Sequence, residues 1–459
     1  MTAPKTAPVY RVTPADKRAF WSIMLPALVE GFLLQLFGIV DTLMLGNTAE
    51  SAVNIASVSI ANVPHVLLVN TIAAFCIGAT TSIAFYTGQG RSEKVSAVAR
   101  QTALFVLVIS LVITVVALAF ASPIVEFAGA DDELHERATL YFRLVIAALP
   151  IEALLVTATA CLRGIGITKI AMLYNVIAGA LNVLGNYLLI YGKWGFPEMG
   201  VAGAALSTSL SKCVAFAIAA WYILGRESAV RIRFSESFRF TADGIGRVIR
   251  VGITTAMEQL LLQGGNVIAV KIIAGLDTPS IAAFNICTTV NGLSWRPGGA
   301  CQVASTTFTG RDLGEGRPEK ARARTLMVYR YALCFCAFMT VFMLVMRYPI
   351  ARLFTPEEII WRKAGHALVF DALTIIGVTS HLVFSGSLRA SGDQKYPLIA
   401  SMLSIWTARV FFASLLVRAG ILNVDLARMC VGLDQMIRGT IVTTRFFTSN
   451  KYKPRQEDP

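Results

Sequence analysis

Charged residues are scarce in this chain of 459 residues. They make up 15% of the sequence, while apolar residues make up 55%. Soluble domains carry about 25% charged residues, so this scarcity excludes an ordinary water-soluble protein. The mean hydropathy of +0.63 favours a chain that lies in lipid.

Several sequence motifs are also missing. The eight cysteines lie in apolar segments without a C-x-x-C pair, which excludes a disulfide framework or a zinc site. No Walker motif or Gly-x-Ser-x-Gly elbow occurs, so ATP hydrolysis and hydrolase chemistry have no support. Residues 1–17 hold no apolar core, so we expect no cleavable signal peptide.

Long apolar runs are abundant. A bilayer core about 30 Å thick needs some 20 apolar residues per helix, and the sequence predicts twelve such spans in an all-α polytopic membrane protein. The second and eighth contain Pro64 and the Pro297-Gly298-Gly299 run, and we expect them to be tilted or broken. The predicted spans are 19–45, 52–86, 95–122, 138–162, 170–191, 201–224, 246–274, 280–309, 325–346, 364–388, 397–417 and 421–444.

The 41 Lys and Arg residues exceed the 28 Asp and Glu residues, and their positions predict the orientation. Most basic residues fall on the side of the N-terminus, whereas one opposite loop holds the acidic run Asp131-Asp132-Glu133. We therefore expect a multi-pass protein of the inner (plasma) membrane with both termini in the cytoplasm. The excess of basic residues then sets the orientation of the chain in the membrane and contacts anionic membrane lipid, and no nucleic-acid partner is expected.

The sequence contains an internal repeat. A shift of 226 positions brings Arg91-Ser92-Glu93-Lys94 onto Arg317-Pro318-Glu319-Lys320, and Leu162-Arg163-x-x-Gly166 onto Leu388-Arg389-x-x-Gly392. Each copy holds six spans, which predicts two parallel lobes around a cleft and hence alternating access. The predicted parts are a cytoplasmic segment 1–18, an N-terminal lobe 19–224, a cytoplasmic linker 225–245, a C-terminal lobe 246–444 and a cytoplasmic tail 445–459.

A carboxylate within a membrane span costs free energy to insert, so its presence indicates a structural or functional role. Glu30 and Asp41 are eleven residues apart and share one helix face, which predicts an ion site. Glu258, ahead of Gln263 and Asn266, predicts a wet, cleft-facing stripe. The alternatives are an interfacial Asp41, a Glu30 buried against a neighbouring helix by a hydrogen bond, and a purely structural hydrogen bond for Glu258. A carboxylate that takes up a proton on one side and releases it on the other would change the charge of the cleft wall.

Other polar groups within the spans are weaker candidates. Asp371 and His381, ten residues apart on one face, could relay protons, or His381 could simply pack. Asn182 and Asn186 share a face of the fifth span, where amides could donate to a carboxylate, coordinate a cation, or join helices. Mutual pairing explains the remaining charges, which are Glu152, Arg296, Arg409 and Arg438.

Several motifs in order resemble the multidrug and toxic compound extrusion (MATE) family, over about residues 18–445. They are Asp41-Thr42-Leu43-Met44-Leu45-Gly46, Leu162-Arg163-Gly164-Ile165-Gly166, Leu181-Asn182 through Asn186-Tyr187 to Tyr191-Gly192-Lys193, and Leu388-Arg389-Ala390-Ser391-Gly392-Asp393. The resemblance implies a V-shaped, two-lobed exporter, expected to act as a monomer without a cofactor. It would antiport small amphipathic organic cations against H⁺ or Na⁺.

The resemblance also implies roles for residues. Asp41 matches the family's first-span acidic residue, and Asn182 with Asn186 matches a pair that is Asn and Asn in the NorM-like branch. Glu258 falls near that branch's seventh-span Glu. Asp371 lies about two turns before the place expected for the tenth-span Asp, which favours protons over Na⁺ bound at the same carboxylates.

Two other functions are alternatives. One is a flippase for a lipid-linked substrate, a relative by fold. The other is a membrane-embedded acyl or glycosyl transferase, because His366 and Asp371 formally match an H-x-x-x-x-D pattern. Both residues lie within a predicted span, away from substrate loops, so we expect a transporter and not an enzyme.

Overall fold

The computed structural model describes residues 10–48, 50–225 and 242–453. Parts of three predicted segments lie outside the described residues: residues 1–9 of the N-terminal segment, 226–241 of the linker and 454–459 of the tail. The basic residues Lys5, Arg226, Arg231, Arg233, Arg239 and Arg455, which entered the orientation argument, lie there as well.

Helices account for nearly all of the described residues, and these residues contain no strand, as predicted for an all-α membrane protein. A π-helical segment, Ile405–Phe412, joins α14 to α15. The helices are α1 (Pro14–Gly46), α2 (Ser51–Gly88), α3 (Ser92–Ala119), α4 (Ala121–Phe127), α5 (Asp132–Ala147), α6 (Leu149–Gly164), α7 (Thr168–Ile190), α8 (Gly200–Leu224), α9 (Ala242–Ile273), α10 (Thr278–Ser294), α11 (Arg296–Gly314), α12 (Pro318–Arg352), α13 (Glu358–Ser391), α14 (Lys395–Ser404), α15 (Ala413–Arg418) and α16 (Val424–Thr448).

Each of the twelve predicted spans coincides with one helix or with consecutive helices. Within the described residues, eight helices are long and apolar enough to cross a membrane, and the bent pair α5 and α6 makes a possible ninth. The α16 helix fails that test because it carries Arg428, Asp434 and Arg438 in its buried face. Buried charged residues therefore make some membrane-spanning helices undetectable by hydropathy alone.

The eighth span breaks as predicted, but α2 does not. The α10 helix ends at Ser294 and α11 begins at Arg296, with Pro297 in its first turn. The α2 helix runs unbroken through Pro64. The sequence did not predict the break at Ala148, where α5 and α6 meet at 50°.

Two compact units make up the chain. One comprises residues 29–83 and 90–256, and its core includes Phe142, Ile146 and Leu149. The other comprises residues 1–28, 84–89 and 257–459, and in it Phe20 stacks on Tyr331 with ring centroids 5.0 Å apart. The predicted lobe boundaries remain predictions.

The backbone carries the signature of the repeat. Gly90 and Gly316 precede α3 and α12 with φ of +69° and +74°, and Gly166 and Gly392 follow α6 and α13 with φ of +84° and +86°. Both pairs are separated by 226 positions. Glycine adopts positive φ without a steric penalty, so these sharp turns explain why the motifs recur in the sequence.

Small residues allow close helix packing. A Cβ atom at Gly78 would lie 2.4 Å from the backbone oxygen of Val248, so α2 and α9 approach here more closely than any side chain permits. The cysteines behave as small apolar residues, as expected. All eight are free thiols, and only Cys334 is exposed.

Candidate functional site

A cavity of about 580 Å³ lies within the unit of residues 29–83 and 90–256. Its wall is mostly apolar, and three carboxylates, from α1 and α6, interrupt it. The polar residues that line it are Glu30, Asp41, Thr80, Glu152, Thr159, Arg163, Asn175, Asn182, Thr208, Ser211 and Lys212.

Asp41 is the carboxylate without a cationic partner in this cavity. Asn186 donates from Nδ2 to Asp41 Oδ1 at 2.7 Å. The Asn182 amide is oriented so that its nitrogen donates to Asp41 Oδ1 at 2.8 Å and its oxygen accepts a hydrogen bond from Thr208. Within the described part of the chain, no Lys, Arg or His lies within ion-pair distance of Asp41. Asp41 therefore presents a half-buried carboxylate held only by amides.

Glu30, the second predicted carboxylate, is neutralised. It is 3% exposed, and it accepts from Arg163 Nη2 at 2.9 Å and from Asn175 Nδ2 at 2.7 Å. The prediction that Glu30 and Asp41 share one face is confirmed, because both line the cavity. Their surroundings differ, however: one carboxylate has an arginine and the other has none.

Glu152 is the third carboxylate of the cavity. Its Oε1 lies 2.7 Å from Lys212 Nζ and its Oε2 lies 3.1 Å from His65 Nε2. Glu152 is therefore ion-paired, but not with the arginines that the sequence analysis named. Sequence reasoning missed both partners, although Lys212 is the only charge within its span and His65 directly follows Pro64.

Glu258 does not form the wet stripe that the sequence predicts. It is 1% exposed, and Arg389 Nη2 donates to it at 2.6 Å. His381 Nε2 lies 3.4 Å away and Ser401 donates at 3.1 Å. Gln263 and Asn266 bond to each other further along the helix. The prediction of a water-facing Glu258 is therefore wrong. Glu258 is buried and ion-paired, because Arg389 reaches it from α13.

Asp371 and His381 are not brought together, contrary to prediction. Asp371 is 1% exposed and forms an ion pair with Arg428 at 2.5 Å, and Asn291 donates to it at 2.8 Å. Ten residues on a helix are about 15 Å along its axis, so two residues on one face still lie too far apart for direct contact. His381 contacts Glu258 instead.

Arg409 and Arg438 are ion-paired, but with Asp434 rather than with the charges that the sequence analysis proposed as their partners. Asp434, which sequence reasoning did not single out, lies 2.7 Å from Arg409 Nε and 2.6 Å from Arg438 Nη2. The H-x-x-x-x-D pattern does not form a site, because His366 is exposed and contacts Tyr348 rather than Asp371. Within the ranges that the structure describes, no group of three or more His, Cys, Asp or Glu could hold a metal ion.

The comparisons with known proteins decide the family. The MatE family model matches residues 26–188 and 255–415, which is more than half of the chain and covers both copies of the repeat. The chain belongs to the MatE family. It is accordingly a multi-pass membrane transporter and not an enzyme.

Relatives of this MatE protein match over nearly their whole length. A "Probable multidrug resistance protein NorM" of Thermotoga maritima is 27% identical over 442 residues, covering 96% of this chain and 94% of its own. The "Uncharacterized transporter YisQ" of Bacillus subtilis is 27% identical over 437 residues, covering 94% and 95%. A solved MOP superfamily transporter from Pyrococcus furiosus shares the fold, with a TM-score of 0.86 at 22% identity over 95% of this chain and 98% of its own.

Proposed function

We propose that this transporter is a multidrug exporter that antiports amphipathic organic cations against H⁺, with Asp41 as the coupling carboxylate. The observation that carries the proposal is the amide-held carboxylate of Asp41 in the wall of a 580 Å³ cavity. The relative from Thermotoga maritima, whose name describes multidrug resistance, supports the substrate class.

Asp41 couples the two ligands by charge. Ionised, it attracts an organic cation into a cavity whose remaining surface is largely apolar. Protonated, it loses that attraction, so proton and cargo exclude each other. Asn182 and Asn186 hold the carboxylate in place in both states because amides carry no charge to compete with the cargo. Each charge that moves down a 100 mV potential supplies about 2.3 kcal/mol.

A proton suits this site better than Na⁺. Hard cations prefer a shell of several oxygen ligands, whereas Asn182 and Asn186 both present amide nitrogens to Asp41. In this arrangement the amide nitrogens, rather than the oxygens, face the carboxylate. Glu258 and Asp371 are also poor coupling sites, because each already binds an arginine. We assign them a structural role.

The same proposal includes location and assembly. The basic residues on the side of the N-terminus support an inner-membrane protein with both termini in the cytoplasm. A cavity formed entirely within one compact unit of one chain supports a monomer as the transporting species.

The test uses purified protein in liposomes loaded with ethidium, a fluorescent amphipathic cation. We expect an imposed pH gradient to drive efflux, an Na⁺ gradient to have little effect, and Asp41→Asn to abolish coupled efflux. The matched control is Asp132→Asn, an exposed carboxylate at the start of α5, which should transport as the unmodified protein does.

Three outcomes would contradict the proposal. Efflux by Asp41→Asn at the unmodified rate would remove the coupling role of Asp41. Efflux driven by Na⁺ alone would replace the coupling ion. Movement of a lipid-linked substrate without any dependence on an ion gradient would favour the flippase.

A further inference from the structure

A buried histidine, a glutamate and a lysine form a cluster of which the glutamate and the lysine line the cavity. His65 lies on α2, Glu152 on α6 and Lys212 on α8, and Glu152 bridges the other two through its separate oxygens at 3.1 and 2.7 Å. The side chains of Glu152 and Lys212 are 12% and 22% exposed, and both line the cavity. The cluster therefore adjoins the cavity in which we propose that cargo binds.

The His65 ring can take up one more proton. Glu152 is ionised beside the Lys212 ammonium, so it can only accept hydrogen bonds, and His65 Nε2 must carry the hydrogen that it receives. The Nδ1 atom of the same ring is buried and has no hydrogen-bond partner. A neutral His65 thus keeps an unused lone pair next to a carboxylate that would stabilise the imidazolium.

Two helix irregularities converge on this cluster. His65 follows Pro64, which lacks the N–H that would continue the hydrogen-bond ladder of α2. Glu152 lies in the first turn of α6, just after the break at Ala148. A helix N-terminus favours a negative charge, so Glu152 stays ionised and available to both cations. These local features fix the carboxylate between the two basic side chains.

We propose that His65, Glu152 and Lys212 form a second proton-binding site of the cavity, which acts together with Asp41 to expel cationic cargo. The inference rests on the proposed function. A hydronium ion gives up a proton, which forms an N–H bond with Nδ1 of His65 and leaves a water molecule behind. Glu152 then shares one negative charge between an imidazolium and the Lys212 ammonium, and its hold on Lys212 weakens.

The consequence is a change of charge in the cavity wall. Before uptake, the cluster carries one negative and one positive charge; afterwards it carries a net charge of +1. The released ammonium of Lys212 then repels an organic cation, as loss of the negative charge on Asp41 does. Both protonation steps act in the same direction, so cargo binding should release protons from both sites.

Charged and titratable groups surround the cluster on every side of the cavity. Tyr141 on α5 interacts electrostatically with both Asp41 and Glu152, which links the two sites. Five of these groups line the cavity: Glu30 and Asp41 on α1, Glu152 and Arg163 on α6, and Lys212 on α8. The other two, His65 on α2 and Tyr141 on α5, interact with Glu152.

The experiment counts protons released when purified protein in detergent binds ethidium in weakly buffered solution with a pH-indicator dye. Over pH about 5 to 8, the largest release should be about two protons per ethidium for the unmodified protein and about one for His65→Gln, whose amide still donates to Glu152. Asp41→Asn should also release about one proton, and the double variant none.

Controls keep the result tied to this cluster. Glu152→Gln, which removes the counter-ion of the imidazolium, should lose the same proton as His65→Gln. His135→Gln, a histidine of α5 that contacts Ser122, should release as many protons as the unmodified protein. A melting temperature within the range of the unmodified protein checks folding in each variant.

The outcomes separate this inference from the proposed function. If Asp41→Asn alone abolishes all proton release, or if His65→Gln releases as many protons as the unmodified protein, the second site is refuted while Asp41 coupling stands. If the unmodified protein binds ethidium without releasing any proton, both ideas fail.

Discussion

In each copy of the repeat, one cluster holds a buried carboxylate together with an arginine and a smaller polar residue. The carboxylate of each accepts one bond from an arginine and one from a small polar residue. The first cluster is Glu30, Arg163 and Asn175, and the second is Glu258, Arg389 and Ser401. The arginines lie 226 positions apart, as do Asn175 and Ser401. A feature retained in both copies, with its charge cancelled, belongs to the scaffold.

The cluster around Asp41 has no such counterpart. The positions 226 residues after Asp41, Asn182 and Asn186 hold Val267, Ala408 and Phe412. One copy thus keeps an uncancelled carboxylate in a cavity, and the other replaces the same positions with apolar side chains. The difference between the copies locates function more sharply than the presence of a membrane carboxylate does.

Among the variants that test this comparison, we expect Arg389→Gln to lower the free energy of unfolding the most. Arg389→Gln leaves Glu258 buried without a counter-ion, and we expect the free energy of unfolding to fall by about 3–5 kcal/mol. Denaturant or thermal unfolding in detergent measures the loss. The double variant Arg389→Gln with Glu258→Gln should recover most of it, and failure to recover any would contradict the ion-pair explanation.

Arg163 tests whether the two clusters are equally buried. Its side chain is 29% exposed, against 5% for Arg389. Water can therefore compensate Glu30 in part, and Arg163→Gln should cost only about 1–2 kcal/mol of unfolding free energy. The same unfolding assay compares both variants, and an equal or larger loss at Arg163 would reverse the ranking.

Gly78 is a packing difference between the copies, since Ala304 stands 226 positions later. A methyl group at Gly78 would meet the backbone oxygen of Val248, which cannot move aside as a side chain can. We expect Gly78→Ala to lower the unfolding free energy by about 1–3 kcal/mol. Gly38→Ala, which meets nothing within 4 Å, is the matched control and should unfold as the unmodified protein does.

The smallest expected effect concerns Asp393, which stands where the first copy has Ile167. Burial raises the pKa of Asp393, but hydrogen bonds from Lys451, Arg445 and Ser449 outweigh it and hold the pKa below its usual value. Its stabilising effect is therefore complete above the unfolded pKa, about 4, and is lost as the pH falls through the lower folded pKa.

Melting curves between pH about 5 and 3 check this effect. Because Lys451 is 43% exposed, solvent screens the interaction, and Asp393→Asn should cost less than about 1 kcal/mol at neutral pH. The variant should also lose part of the acid sensitivity. An unchanged pH dependence would show that the cluster contributes nothing to stability.

The sequence was sufficient to predict spans and the repeat because both depend on local patterns. Hydropathy located the helices, and the turn glycines reproduced the motifs at a constant offset. Local patterns could not identify the ion-pair partners that come from other helices. Nothing near Glu258 indicates that Arg389, 131 residues later, neutralises it, and nothing near Glu152 points to His65 and Lys212. Asn182 and Asn186 were an exception, because their spacing of four residues placed both on one helix face and the family resemblance then matched them to a known pair.

The interruption at Ala148 has a mechanical consequence. The last carbonyls of α5 and the first amides of α6 already lie outside any continuous hydrogen-bond ladder. A change in the 50° angle between these helices therefore breaks few backbone bonds, whereas a similar flexure in the middle of an intact helix would break several. Few backbone hydrogen bonds therefore join the segment that carries Glu152 to α5, so side-chain packing contributes most to holding the angle between the two helices.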